Sequence, residues 1–386
     1  MERENFKYKL FFFLRYIGDA FFYPFMSIYF IFKGLSEEQL GWILAITPIT
    51  TIIANPLWNW IVKDSRISQT VLKFMTIIEG LLIILITRVT GFELFALIIG
   101  LIGLLCSPFM SIQDGFAATY ALNNHIEFSQ LRIYASIAYV LATTVAGFTV
   151  QYLGYEILFL LSGAFFLVTA GIAWWIKPLE KPSKIKRRPK RDLRALIANK
   201  NFLKYLLFYT LTVGAIRIGD SFFGVYITDQ KGLSTLGWGL VYSGFVFFEV
   251  LVLRYLSVKG GLIDEKKLFL FAVSILLFRF LTYSLDLPLP AIVAFTMLRG
   301  VSWGVYIYAH IRYLSKIVRV ENITAAILIV TLLYSIFAAV GSMFAGAIIE
   351  RFGYSLFFLS LSGLILAGLV SFLILTPKVN QIQNNE

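Results

Sequence analysis

Hydrophobic positions in this chain gather into long stretches separated by short polar ones. The apolar cores fall at residues 10–32, 40–62, 71–87, 94–118, 133–153, 157–176, 202–228, 236–258, 268–285, 291–314, 324–349 and 356–375. Most approach the length of about 20 residues that a helix needs to cross roughly 30 Å of hydrocarbon. Lipid offers no partner for backbone N–H and C=O groups, so such segments close their own hydrogen bonds as helices. The pattern predicts an all-α membrane protein with about twelve transmembrane helices. Charged residues 1–9 lead into the first span, which contains Arg15, Asp19 and Pro24 and lacks a small-residue cleavage site. That run reads as a first helix rather than a signal peptide.

Lysine and arginine crowd alternate connections. Nine of them lie between Lys177 and Arg194, after the sixth span. Lys63 and Arg66 follow the second span, Lys259, Lys266 and Lys267 the eighth, and Lys316 and Arg319 the tenth. The remaining connections are short and carry scattered charges. The positive-inside rule then puts both termini and the central loop in the cytoplasm. Residues 177–200, with Pro178, Pro182 and Pro189, form a basic polar linker between an N-terminal six-helix bundle, 1–176, and a C-terminal one, 201–386. Contact with anionic lipid accounts for that basic run.

The two halves repeat one another. Ile17-Gly18-Asp19-Ala20-Phe21-Phe22 in the first span is answered by Ile218-Gly219-Asp220-Ser221-Phe222-Phe223 in the seventh. Lys33-Gly34-Leu35-Ser36 before Gly41-Trp42 is answered by Lys231-Gly232-Leu233-Ser234 before Gly237-Trp238. Ala146-Gly147, Gly154-Tyr155 and Ser162-Gly163 are answered by Ala345-Gly346, Gly353-Tyr354 and Ser362-Gly363. The order and orientation of the spans are kept. Parallel repeats of this kind are a transporter plan, with the solute site expected near the bilayer midplane.

Composition agrees with the pattern: 59% of residues are hydrophobic, 15% are charged and the mean hydropathy is +0.79. A net charge of +12 would suit nucleic acid if it lay on one face, but here it lies between apolar runs. No nucleic-acid partner is expected. One cysteine, Cys106, excludes an intrachain disulfide, and no metal or other cofactor is expected. No phosphate-cradling Gly-Lys-Ser/Thr loop is present, so nucleotide-driven pumping is not expected.

Function is sought among the ionisable groups inside the spans, because an Asp, Lys or Arg at a helix centre costs about 2.5–3.5 kcal/mol to insert. Arg15 and Asp19 are four residues apart, and Arg217 and Asp220 three apart. Either spacing lets the pair meet on one helix face. Each pair is then either a self-neutralising unit or an acid presented to a solute or proton. Asp114 and Arg132 lie on adjacent spans joined by a short loop. A carboxylate beside a forked guanidinium offers acceptor and donors together, which suits the hydroxyls of a sugar or ribose. Arg132, Ser136, Tyr139 and Thr143 follow helical spacing and add an aromatic platform. Arg299, Trp303, Tyr306 and His310 form a second polar-aromatic stripe, fit either to stack on a ring or to pack in the core. Glu249 has no intrahelical cation three or four residues away and is the candidate proton carrier, or else a partner for Arg279 or Arg299 across the bundle. Glu79, in the third span, either lines the cavity or bonds a neighbouring helix. The second span offers only the neutral amides Asn55 and Asn59, which favours a proton over sodium as the coupling ion.

Twelve spans, a basic central loop and this duplication resemble the major facilitator superfamily. Asn59-Trp60-Ile61-Val62-Lys63-Asp64-Ser65-Arg66 is similar to its loop after the second helix, with Asn59 where the family has glycine. Leu131-Arg132-Ile133-Tyr134-Ala135-Ser136-Ile137-Ala138-Tyr139 resembles the fifth helix of the lactose-permease-like branch of sugar and nucleoside proton symporters. Asp114, Glu249 and Arg279 stand where that branch has its fourth-helix acid, eighth-helix glutamate and ninth-helix arginine. The chain departs in its tenth span, where Arg299 and Ser302 replace a histidine and a proton-linked glutamate, so lactose itself is not the expected cargo. The resemblance implies two pseudo-symmetric six-helix bundles and a non-enzymatic, monomeric secondary transporter in a bacterial inner membrane. Its solute contacts would be Asp19, Asp114, Arg132, Tyr139, Asp220, Arg279, Arg299 and Trp303, and its proton carrier Glu249. Proton-driven efflux of lipophilic cations is the alternative, since acids flanked by Phe also suit cation recognition. A lipid-linked glycosyl transferase and a non-transporting sensor are further classes; the first lacks an acid-rich catalytic loop, and the second leaves the intramembrane charges without a use.

Overall fold

The computed structural model describes residues 2–62, 65–177, 193–285 and 287–375. Its helices are α1 (Glu2–Phe32), α2 (Glu37–Ile61), α3 (Ser65–Ile86), α4 (Phe92–Cys106), α5 (Phe109–Asn123), α6 (Ser129–Leu153), α7 (Tyr155–Trp175), the short α8 (Leu193–Ala198), α9 (Lys200–Val225), α10 (Thr235–Lys259), α11 (Glu265–Ser284), α12 (Leu289–Ile317) and α13 (Ile323–Leu375). Ten segments among the described residues are long and apolar enough to cross a membrane, and the longest of them, Ile323–Ile374, turns back at Gly353. With that segment counted twice and the 31-residue α1 added, the spans number twelve. The chain is an all-α, multi-pass membrane protein.

Three local departures from the expected spans have physical causes. The fourth span breaks at Ser107 and Pro108 into α4 and α5, since Pro108 has no N–H to continue the ladder. The eleventh and twelfth spans join in α13 through Gly353 alone, at φ 79° and ψ 173°. Its counterpart in the repeat, Gly154, joins α6 to α7 at φ 87° and ψ 167°. A Cβ would oppose that backbone, so glycine recurs in both copies. Helix α1 also begins well before the predicted apolar core. Lys7, buried, is held by Glu4 Oε1 at 2.6 Å and by the Trp175 carbonyl at 2.8 Å, which docks the charged lead against the end of α7. Ser36 caps α2 in a reciprocal box with Gln39.

The described chain divides into two compact units. The first contains α1 to α7 together with Ile227–Ser243; the second contains α8, α9 and the chain from Gly244 onward. Inside the first, α1 packs along α6 and α7, and α3 along α7, α4 and α5. Inside the second, α9 packs along α13, and α11 along α12 and α13. The duplicated sequence thus uses one internal packing plan twice. Residues 178–192 of the expected linker, and Lys63 and Asp64 of the loop after the second span, lie outside the described residues, as do the side chains of Asn59 and Arg66.

Candidate functional site

The repeated Gly-Asp pair is positioned by close packing. A Cβ at Gly18 would stand 3.0 Å from the Phe166 ring, and one at Gly219 would stand 2.4 Å from Phe280 Cζ. Glycine admits a buried phenyl ring beside each carboxylate, and each aspartate then finds a different set of cations.

In the first unit, Arg15 Nη2 lies 3.2 Å from Asp19 Oδ1 on the same helix and 2.9 Å from Glu79 Oε2 on α3. Tyr23 Oη donates to Glu79 Oε1 at 3.0 Å. The Arg15 guanidinium lies 4.2 Å from the Phe109 ring centroid and 4.1 Å from that of Phe166. Cation–π contacts are worth about 2 kcal/mol when desolvated. The three charged side chains are 2%, 1% and 1% exposed. Asp19, expected to meet solute, is therefore enclosed. Glu79, expected either to line the cavity or to bond a neighbouring helix, does the second, as the partner of Arg15 and Tyr23 on α1; its one signal was being the sole acid of the third span.

The second polar group of this unit is open. Arg132 Nε lies 3.4 Å from Asp114 Oδ2, with the side chains 51% and 34% exposed. Tyr139, one to two turns along α6, is half-buried and meets Tyr16 of α1 edge-on at 6.3 Å. Tyr16 follows Arg15 directly and interacts electrostatically with both Arg15–Asp19 and Asp114–Arg132. Thr143, at the end of the predicted stripe, is fully buried and donates to its own helix at the Tyr139 and Val140 carbonyls. The usable part of the stripe is Arg132, Ser136 and Tyr139, with Tyr16 added from α1.

In the second unit, Asp220 is bracketed by two arginines from other helices. Arg279 Nη2 donates to Oδ1 at 2.6 Å and Arg299 Nε to Oδ2 at 2.8 Å. The expected Arg217–Asp220 pair is replaced, because two guanidiniums aimed from α11 and α12 fill the carboxylate first. Arg217 is exposed and lies 5.8 Å from the Trp303 ring. Arg279 is 1% exposed and sits over Phe280, whereas Arg299 and Asp220 are 17% and 18% exposed.

Glu249 on α10 is half-buried and forms no ion pair among the described residues. Neither Arg279 nor Arg299 is its direct partner, although Arg299 and Arg217 act on it electrostatically. Its place is set by Gly300 and Gly304 of α12, whose missing side chains let the backbone of Phe245 and Glu249 approach. Trp303 is half-buried and stacks on Tyr306 at 5.7 Å and 11°. Farther along its stripe Tyr306 is buried and shares a 2.9 Å hydrogen bond with Thr212, and half-buried His310 shares one of 2.5 Å through Nδ1 with Tyr205. Among the described residues, no group of three His, Cys, Asp or Glu side chains is placed to hold a metal ion.

Each unit therefore combines a strongly held ionic group with a half-exposed polar-aromatic face, an arrangement suited to binding a polar ring-bearing solute. Over 384 residues the chain is 24% identical to the maltose permease of Geobacillus stearothermophilus, covering 96% of this chain and 94% of that one. It is 24% identical over 314 residues to the uncharacterized transporter YwbF of Bacillus subtilis (strain 168), covering 80% and 77% of the two chains. The fold matches a crystal structure of the nucleoside transporter NupG with a TM-score of 0.82 at 14% identity, over 96% of this chain and 99% of that one. It also matches an inward-facing, unoccupied bacterial homolog of the human lysosomal transporter Spinster with a TM-score of 0.69 at 14% identity, over 99% and 97%. The model of the MFS_1-like family spans residues 5–360. The chain belongs to that family, and is a membrane transporter of the major facilitator superfamily rather than an enzyme.

Proposed function

We propose that the protein is a secondary active transporter that moves a small hydroxylated solute, a sugar or nucleoside, by alternating access coupled to protons. The observation that carries this reading is the half-exposed Asp114–Arg132 pair beside Tyr139 and Tyr16. A carboxylate and a guanidinium side by side can accept from and donate to neighbouring hydroxyls. Tyrosine faces supply the stacking surface that sugar and base rings prefer. The likeness to a maltose permease along nearly the whole chain supports the solute class, and the NupG likeness supports the fold on which it would act.

On this reading Arg132, Asp114 and Tyr139 are the solute contacts of the first unit, and Arg299 and Trp303 are those of the second. Asp220 and Arg279 hold Arg299 in position. Glu249, half-buried and without a direct ion pair among the described residues, carries the coupled proton, its charge state felt by Arg299 and Arg217. The protein works as a monomer in a bacterial inner membrane with both termini cytoplasmic. Counterflow in proteoliposomes, with a panel of sugars and nucleosides, tests the reading. Exchange of at least one hydroxylated solute is expected, with uphill uptake when a pH gradient is imposed. Extrusion of cationic dyes without sugar or nucleoside exchange would overturn it.

A further inference from the structure

Charge does not balance in the buried cluster of the first unit. Two carboxylates, Asp19 and Glu79, face one guanidinium, Arg15, and none of the three side chains exceeds 2% exposure. Both acids reach the same nitrogen, Arg15 Nη2, at 3.2 and 2.9 Å, which keeps the carboxyl groups close to each other. Among the described residues, no donor makes a hydrogen bond to either oxygen of Asp19, and no acceptor takes one from Arg15 Nε or Nη1. The faces of the guanidinium are occupied by Phe109 and Phe166, not by further acceptors.

Among the described residues, Arg15 is the one cation that acts on Asp19. Helix α1 adds Tyr23, which donates to Glu79, and Tyr16, which is turned toward Tyr139 and Arg132 of α6. From α4 comes the Cys106 thiol, bonded to the Met75 carbonyl at 3.5 Å. Helices α5 and α7 contribute phenyl rings. The acids of α2, Glu37 and Glu38, stand in its first turn, and Lys73 of α3 lies over Trp174.

With both acids ionised the cluster would bury a net negative charge beside the phenyl rings of the core. An unpaired buried ion costs several kcal/mol, and such groups neutralise instead. Two carboxylates sharing one site likewise cannot both ionise freely. We propose that the Arg15–Asp19–Glu79 cluster is a proton-binding site, holding one proton between the two carboxyls while the guanidinium balances the remaining charge. The duplicated aspartates have then diverged by charge arithmetic. Asp220 has two arginines and needs no proton, whereas Asp19 shares one arginine with a second acid. The site lies in a different unit from Glu249 and does not depend on the transport reading.

Infrared spectroscopy of the purified full-length protein at neutral pH tests the site, in light and heavy water. A deuterium-sensitive C=O stretch of a protonated carboxylic acid is expected in the parent. It should persist in Glu249→Gln and disappear in both Glu79→Gln and Asp19→Asn, each of which leaves one acid balanced by Arg15. A parent without the band would overturn the proposal, as would a band lost in Glu249→Gln and kept in the other two. Should one cluster variant fail to fold, the other still decides, since the band must be lost there. Thermal unfolding against pH gives a second readout. The parent should lose stability as pH rises above neutral and the shared proton leaves, while Glu79→Gln should follow a flat course. Parallel courses for the two proteins would also overturn the proposal.

Discussion

Asp220 receives Arg299 Nε–H at 2.8 Å on one oxygen and leaves Arg217, three residues away on its own helix, to lie over Trp303. A cross-helix guanidinium has displaced the sequence neighbour. The carboxylate therefore ties α9 to α12, and through Arg279 to α11, so its first role is to order three helices of the second unit.

Removing that carboxylate should be costly. Asp220→Asn leaves the wholly buried Arg279 without its anion, and breaking one partner of a buried pair costs about 3–5 kcal/mol. A large drop in the thermal midpoint in detergent is expected, with a smaller drop for Arg217→Ala, whose side chain is exposed. Equal losses for the two variants would show that Arg217 shares the carboxylate.

Arg132→Ala should abolish both counterflow and uphill uptake. A hydrogen bond to a charged group is worth about 1.5–3 kcal/mol, which corresponds to roughly tenfold to hundredfold in solute affinity. Arg132→Lys keeps the charge but not the fork, and should recover only part of the activity. Stability should change little, because Arg132 is half-exposed. Binding measured by calorimetry beside thermal unfolding separates the two effects.

Glu249→Gln should spare solute exchange and abolish uptake driven by a pH gradient, since the neutral amide cannot lose a proton. Flux assays on the same vesicles, with and without the gradient, read the difference. Uphill flux equal to that of the parent would rule out a coupling role for this residue.

Tyr139→Ala should raise the half-saturating solute concentration while Tyr139→Trp preserves transport, because a stacking platform requires a ring face rather than a hydroxyl. Tyr16→Phe should behave like the parent if Tyr16 only supports that ring. Kinetics of counterflow across the three variants decide this.

The glycines before the two aspartates should differ in tolerance. Gly219→Ala drives a Cβ to 2.4 Å from Phe280 and 3.0 Å from Leu361, whereas Gly18→Ala meets Phe166 at 3.0 Å. Overpacking costs about 1–3 kcal/mol, so the first substitution should lower the thermal midpoint more than the second.

The spans, the duplication and the recurrence of glycine at the Gly154 and Gly353 turns were all legible in the sequence, because each depends on residues near one another in the chain. Hydrophobic length sets a crossing helix, and a positive φ demands glycine wherever it occurs. Ion-pair partners were legible only in part: Asp114–Arg132 was read from adjacent spans and is present, but partners on more distant helices were not. Spacing along α1 found Arg15 beside Asp19, but nothing local pointed to Glu79 some sixty residues away. Spacing along α9 chose Arg217 for Asp220, and packing of α11 and α12 chose otherwise. A charge buried in hydrocarbon is settled by whichever counter-charge the neighbouring helices bring within reach. The sequence by itself determined which groups must be neutralised, and only the tertiary structure decided by what.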